Sequence, residues 1–308
     1  MAKAILTTKA SPAYNDRPEE FYHFPSTYLN YLSRVVGDHI IYYEPRRPSP
    51  EDSSRGGRQA YFACARLDTI EPDPQTAEHY YARVSNYLEF DNPVPFAESG
   101  QYYEAALRKS DGTTNRGAFG RAVRLVSDEE FDRILKTGFA AEIKAAKTND
   151  AKTTNDVDGL DEPAHDYVRP IVEMTISRPF RDQVFKRGVR SAYDNRCAFT
   201  GLQLINGGGR PEVQAAHIKP VANNGTDSVR NGLALSGTIH WLFDRGLLSV
   251  EDNYKILVAK KGVPDQITKL LNTDGTVRLP ASDSLKPHPY YLKFHRELKF
   301  HRENVFKG

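Results

Sequence analysis

Three short stretches of this chain carry side chains suited to phosphodiester hydrolysis: Ala215-Ala216-His217-Ile218-Lys219-Pro220, Asn231-Gly232-Leu233-Ala234-Leu235 and His240-Trp241-Leu242-Phe243-Asp244. That reaction needs an in-line water made nucleophilic, relief of charge on a non-bridging oxygen, and stabilisation of the leaving 3′ oxygen. A neutral imidazole with pKa near about 6.5 takes the water's proton at neutral pH, and a divalent ion meets the other two needs. On this reading His217 is the general base. His240 and Asp244, one helical turn apart, face the same side and share one ion. Asn231 completes the catalytic set by bonding to backbone around the base and fixing it against the following helix, and Lys219 and Arg245 are phosphate contacts.

The elements that position these groups follow from local pattern. Residues Val213 to Ile218 alternate as a strand, and Cys197 to Gly201 read as a tight turn. Asn206-Gly207-Gly208-Gly209 is the expected loop between the arms of a hairpin, and Thr238 to Asp244 is the expected helix. The unit is then ββα, with Trp241, Leu242 and Phe243 expected in its core. The aromatic, basic stretch Lys286 to Arg296 is expected to pack against it, with DNA contact as the alternative.

The stretch Arg178 to Lys307 resembles the HNH, or ββα-metal, endonuclease family. Its members read as a Cys-x-x-Thr-Gly-Leu turn, Ala-Ala-His-Ile, then Asn-Gly-Leu-x-Leu-x-x-x-x-His-x-x-Phe-Asp-x-Gly. The matching positions are Cys197, Thr200, Gly201, Leu202, Ala215 to Ile218, Asn231 to Leu233, Leu235, His240, Phe243, Asp244 and Gly246. The resemblance implies a metal-dependent DNA endonuclease using one divalent ion, Mg²⁺ or Mn²⁺, with Ni²⁺ or Co²⁺ as alternatives. Many relatives place Asp or His immediately before the base as a further ligand, where this chain has Ala216. Many also hold a structural zinc with Cys-x-x-Cys pairs. Here Thr200 replaces the second cysteine, so no structural zinc is expected.

At 308 residues the chain is long enough for two domains. Its two cysteines, Cys64 and Cys197, make no disulfide framework, and it has neither a signal-peptide pattern nor an apolar run of membrane-spanning length. A cytoplasmic protein with no membrane contact is expected. The net charge of +2 conceals an asymmetry: residues 166–308 carry 22 Lys and Arg against 14 Asp and Glu, whereas residues 1–165 carry 20 against 26. The basic half is the one suited to a phosphate backbone.

The first half reads as Tyr-, Phe-, Val- and Ile-rich strands around 38–44, 59–67 and 80–84, closed by a helix that opens at Ser127, and hence as a mostly antiparallel barrel. Expected boundaries are a first domain at 1–140, a Lys/Thr/Asn/Asp-rich linker at 141–165 and a second domain at 166–308. With Tyr22 to Tyr28, Gly37 to Glu44 and Tyr61 to Ala65, the first domain resembles the EVE-like branch of the PUA superfamily, whose relatives include the SRA fold. Related barrels receive a flipped modified base in an aromatic-lined pocket. That implies stacking by Tyr22, Phe24, Tyr28 and Tyr43, with Asp91, Asn92 and Asn115 reading the base edge.

The combined expectation is an α+β, two-domain, modification-dependent restriction endonuclease. It binds double-stranded DNA containing 5-methylcytosine or 5-hydroxymethylcytosine and works as a homodimer, because one HNH site nicks one strand. The alternatives are a nonspecific HNH nuclease with a scaffolding first domain, and a catalytically degenerate reader of modified DNA.

Overall fold

The computed structural model describes residues 2–8, 17–45, 59–144 and 177–300. The chain divides into two compact units, Met1–Val184 and Phe185–Gly308. Residues 141–144 of the expected linker are helical, and the remainder of that expectation, 145–165, lies outside the described residues.

In the first unit six strands form one sheet: β1 (Lys3–Thr7), β2 (Phe21–Pro25), β3 (His39–Glu44), β4 (Ala60–Pro72), β5 (His79–Pro95) and β6 (Val123–Val126). Their spatial order is β2-β5-β4-β3-β1-β6, antiparallel throughout except for the parallel β1–β3 pair. The expected mostly antiparallel barrel takes the form of one six-stranded sheet among the described residues, with β2 and β6 at its ends. Three register shifts along β4–β5 bend that long hairpin.

Alternation along the strands buries both faces. Leu6, Ile40, Tyr42 and Phe62 enter one core, while Ile5, Ile41, Tyr43 and Tyr61 enter the other. Helix α1 (Asp128–Gly138) covers the second face with Phe131, Ile134 and Leu135. It starts where the sequence places it, with Ser127 and Glu130 forming a reciprocal capping box.

The second unit contains the final turns of α2 (Arg178–Ala192), then β7 (Gln214–His217), β8 (Gly232–Leu235) and α3 (Gly237–Asp244). A small hairpin of β9 (Leu248–Val250) and β10 (Ile256–Val258) follows, and α4 (Pro289–Leu298) closes the unit. The ββα unit exists, but its second strand differs from the expected one. β7 pairs with β8, in register His217↔Gly232 to Gln214↔Leu235. The segment before the glycine-rich loop contributes a single bridge, Ile205↔Pro211.

Helix α3 ends in a Schellman motif, in which the Gly246 N–H donates to Phe243 O at 2.9 Å and the Leu247 N–H to Leu242 O at 2.9 Å. Gly246 has φ +66°, and a Cβ there would lie 1.7 Å from the Lys299 carbonyl oxygen. Helix α4 packs as expected. Tyr291 and Leu292 enter the core, and His295 stacks on Phe243 at 3.8 Å. The His295 ring also bonds Ser249 Oγ and Phe243 O, and burial pushes its pKa down to about 4.

Candidate active site

His217 ends β7 opposite Gly232. A Cβ on Gly232 would lie 2.3 Å from Val189 Cγ2 and 3.1 Å from the Phe185 ring, so glycine at this strand position lets α2 approach the sheet. Phe185 then stacks on the His217 imidazole, with centroids 3.8 Å apart and planes 11° apart. His217 Nε2 lies 3.0 Å from Oδ1 of Asp227, a buried carboxylate in the loop joining the strands. Because a carboxylate only accepts, Nε2 carries the hydrogen and Nδ1 keeps the free lone pair.

Asn231 is fully buried, and its amide is committed to main chain. Its Oδ1 accepts from the Lys219 N–H at 2.8 Å, while Nδ2 donates to Lys219 O and Thr226 O, each at 2.9 Å. Both ends of the loop carrying Asp227 are thereby fastened to one side chain.

On α3, His240 Nε2 and Asp244 Oδ2 are 3.4 Å apart. His240 Nδ1 lies 2.8 Å from Gln214 Oε1. Gln214 thus holds the Nδ1–H tautomer and leaves the Nε2 lone pair beside the carboxylate, the arrangement a metal-binding imidazole requires. Among the described residues no third His, Cys, Asp or Glu completes a cluster around them. The imidazole and carboxylate suit a divalent ion, which His240 and Asp244 would hold.

Two expectations about this unit need correction. Lys219 is only 8% exposed, and its ammonium donates to Tyr290 Oη at 2.9 Å beside the Tyr290 and Phe294 rings. It is a packing cation, unavailable to phosphate in this arrangement. Trp241 is 51% exposed, with the Arg245 guanidinium 4.2 Å above its ring, so it lies outside the core with Leu242 and Phe243 inside. Arg245 remains exposed.

The residues expected to form a base pocket do not converge. Tyr22 and Phe24 are buried in one core of the sheet with Tyr28 packed at its margin, whereas Tyr43 is buried in the core on the opposite face. Tyr28 Oη accepts from the Ala122 N–H at 3.3 Å, and Asn115 caps a short helix by accepting from the Ala118 N–H. Asp91 is half-buried and Asn92 exposed, both on β5.

A buried network in the same unit leaves no mark in the local sequence pattern. Arg124 binds Glu104 through two nitrogens at 2.7 and 2.8 Å, and Tyr61 Oη donates to the same carboxylate at 2.7 Å. Burial raises the phenol pKa values of Tyr43 and Tyr61 above the ordinary tyrosine range.

Asp227 and Gln214 are the functional candidates that sequence reasoning missed. Asp227 lies in an irregular loop ten residues beyond the histidine, where no periodicity marks it. Gln214 had a usable signal, because it lies on the histidine-bearing strand.

The family described as HNH endonuclease (HNH_2) matches residues 197–251, which form an HNH endonuclease domain. No curated protein matches the chain. Among solved structures, "Modification dependent TagI restriction endonuclease" is similar at 15% identity and TM-score 0.32, over 99% of this chain and 84% of that one. "Structure of the Type IV phosphorothioation-dependent restriction endonuclease ScoMcrA" is similar at 13% identity and TM-score 0.18, over 78% of this chain and 46% of that one. No helix among the described residues is long and apolar enough to cross a membrane.

Proposed function

We propose that the chain is a divalent-metal-dependent DNA endonuclease whose first unit restricts cutting to DNA carrying modified cytosine. The observation that carries the nuclease reading is the pair of His–carboxylate couples, His217–Asp227 and His240–Asp244, on one ββα frame inside the matched domain. His217 Nδ1 takes a proton from the attacking water while Asp227 fixes the ring and offsets the charge of the imidazolium. Phe185 holds the plane of that ring. His240 and Asp244 hold the ion, and Gln214 orients His240. The bound ion supplies positive charge to the phosphate and the leaving oxygen. The expected products carry 5′-phosphate and 3′-hydroxyl ends, and two copies of the chain are needed to cut both strands.

The base selectivity rests on division of labour. Backbone hydrolysis is the same chemistry in all DNA, so selection falls to other parts of the protein. Residues 1–165 carry a net charge of −6, which suits a local contact better than broad backbone binding. The EVE/PUA-like resemblance of that unit points to a flipped modified base as the contact. Asn92, exposed on β5, is the edge-reading candidate, with the half-buried Asp91 beside it.

The test is cleavage of matched duplexes containing cytosine, 5-methylcytosine or 5-hydroxymethylcytosine, with Mg²⁺, Mn²⁺ or EDTA, by wild type and His217→Ala. Metal-dependent cutting of modified DNA alone, lost in the variant, is the expected result. Equal cutting of all three duplexes removes the selectivity, and full activity in His217→Ala removes the assigned base.

A further inference from the structure

Beside the active site, within the second unit, lies a cleft of about 970 Å³ that reaches His240 and Gln214 at one end. Lys186 and Arg190 line it from successive turns of α2, and Arg210 lines it from the base of the glycine-rich loop, where its carbonyl accepts from the Asn206 N–H. None of the three forms an ion pair among the described residues. Arg190 Nε donates to Lys186 O at 3.0 Å, which braces the guanidinium and leaves its two terminal nitrogens for another partner. The one carboxylate in the lining, Glu212, already accepts the Gly237 N–H at 2.7 Å. The lining also includes Leu204 and Ile205, which are about half exposed. Three cations, two solvent-facing aliphatic side chains and His240 in the same lining describe a seat for an extended polyanion with apolar sugars between its charges.

We infer that this cleft holds the sugar–phosphate backbone of the substrate strand on one side of the scissile bond, with Lys186, Arg190 and Arg210 on phosphates and Leu204 and Ile205 against deoxyriboses. The inference rests on the nuclease reading and adds to it the path of the strand. It also replaces Lys219 as the source of phosphate contacts, since that ammonium is buried.

The experiment measures binding of the full-length protein to a duplex across a salt series, in a His217→Ala background that leaves the DNA intact. Lys186→Ala, Arg190→Ala and Arg210→Ala should each reduce the slope of log K against log salt by about 0.9, and weaken binding uniformly across sequences. Arg210→Lys should restore the slope. Lys293→Ala, whose lysine pairs with Glu297 on α4 outside the cleft, serves as control. In the otherwise wild-type protein the same three substitutions should raise KM. Unchanged slopes and KM values with cleavage intact would overturn the cleft's role and leave the nuclease standing, as would a control that shifts the slope equally. Absence of cleavage and binding by the unmodified protein would overturn both readings together.

Discussion

Asn231→Ala offers the most direct check on how the base is held. The amide makes three buried hydrogen bonds, all to main chain, so truncation leaves the Lys219 N–H and the carbonyls of Lys219 and Thr226 without this partner. Each such loss costs about 1–3 kcal/mol. The N–H is the costliest because it has no second valence, and a water entering the vacated polar space relieves part of the rest. The net loss should be about 3 kcal/mol. Trp241 is the sole tryptophan and lies in the second unit, so its fluorescence follows unfolding of that unit. With a urea slope of about 1–3 kcal/mol/M, the midpoint should fall by roughly 1–3 M. Asn231→Asp should be destabilised as much at neutral pH, because a carboxylate would face two carbonyl oxygens, and should recover as acid protonates it. An unchanged midpoint combined with lost cleavage would refute the reasoning, because the amide would then act on substrate.

Asp227→Asn should lower kcat by about 10²–10⁴ with little change in KM, as measured by steady-state cleavage, because a neutral amide no longer offsets the His217 imidazolium. Gln214→Ala frees the wrong tautomer of His240 and should weaken Mn²⁺ binding by about 10–100-fold, measured as a loss of metal-induced thermal stabilisation without DNA present. His295 has a folded pKa of about 4, below its unfolded value, so the unfolded state binds the extra proton and stability falls as pH drops from about 6.5 toward 4, by up to about 3 kcal/mol. Urea midpoints at pH 7 and 4.5 should show that loss in wild type and not in His295→Phe. Gly246→Ala should cost at least about 2 kcal/mol in urea unfolding, from the positive φ and the contact with the Lys299 carbonyl.

The helix histidine and aspartate could be located from sequence because both belong to one short helix with fixed spacing, and His217 because it lies on a short alternating strand. Their partners were less legible. Asp227 reaches His217 across an irregular loop, and loop geometry leaves no period to read. The second strand of the ββα unit was missed because Gly232–Leu235 is only four residues long and wholly buried, so it shows no alternation. In the first unit the aromatic residues were visible as strand residues, but a sheet buried on both faces gives the same composition to each face. The register between neighbouring strands decides which tyrosines of different strands share a core. The sheet ends at β2 and β6 among the described residues, and no local pattern encodes that.

Ala216 was the strongest argument for a degenerate site, because related enzymes place a ligand there. Its position in the strand accounts for the alanine. Successive strand residues point to opposite faces, and Ala216 is 1% exposed in the core cluster while His217 faces Phe185 and Asp227. A carboxylate at 216 would be buried among apolar side chains, where an unpaired charge is strongly disfavoured. The loop supplies a carboxylate to His217 through Asp227, and Asn231 fastens both ends of that loop. Asp227 beside His217 and Asp244 beside His240 give each histidine its own carboxylate, and in the proposed mechanism one couple serves the proton and the other the ion. Removing either carboxylate should therefore produce different defects: loss of turnover at retained metal affinity for Asp227, and loss of metal affinity for Asp244.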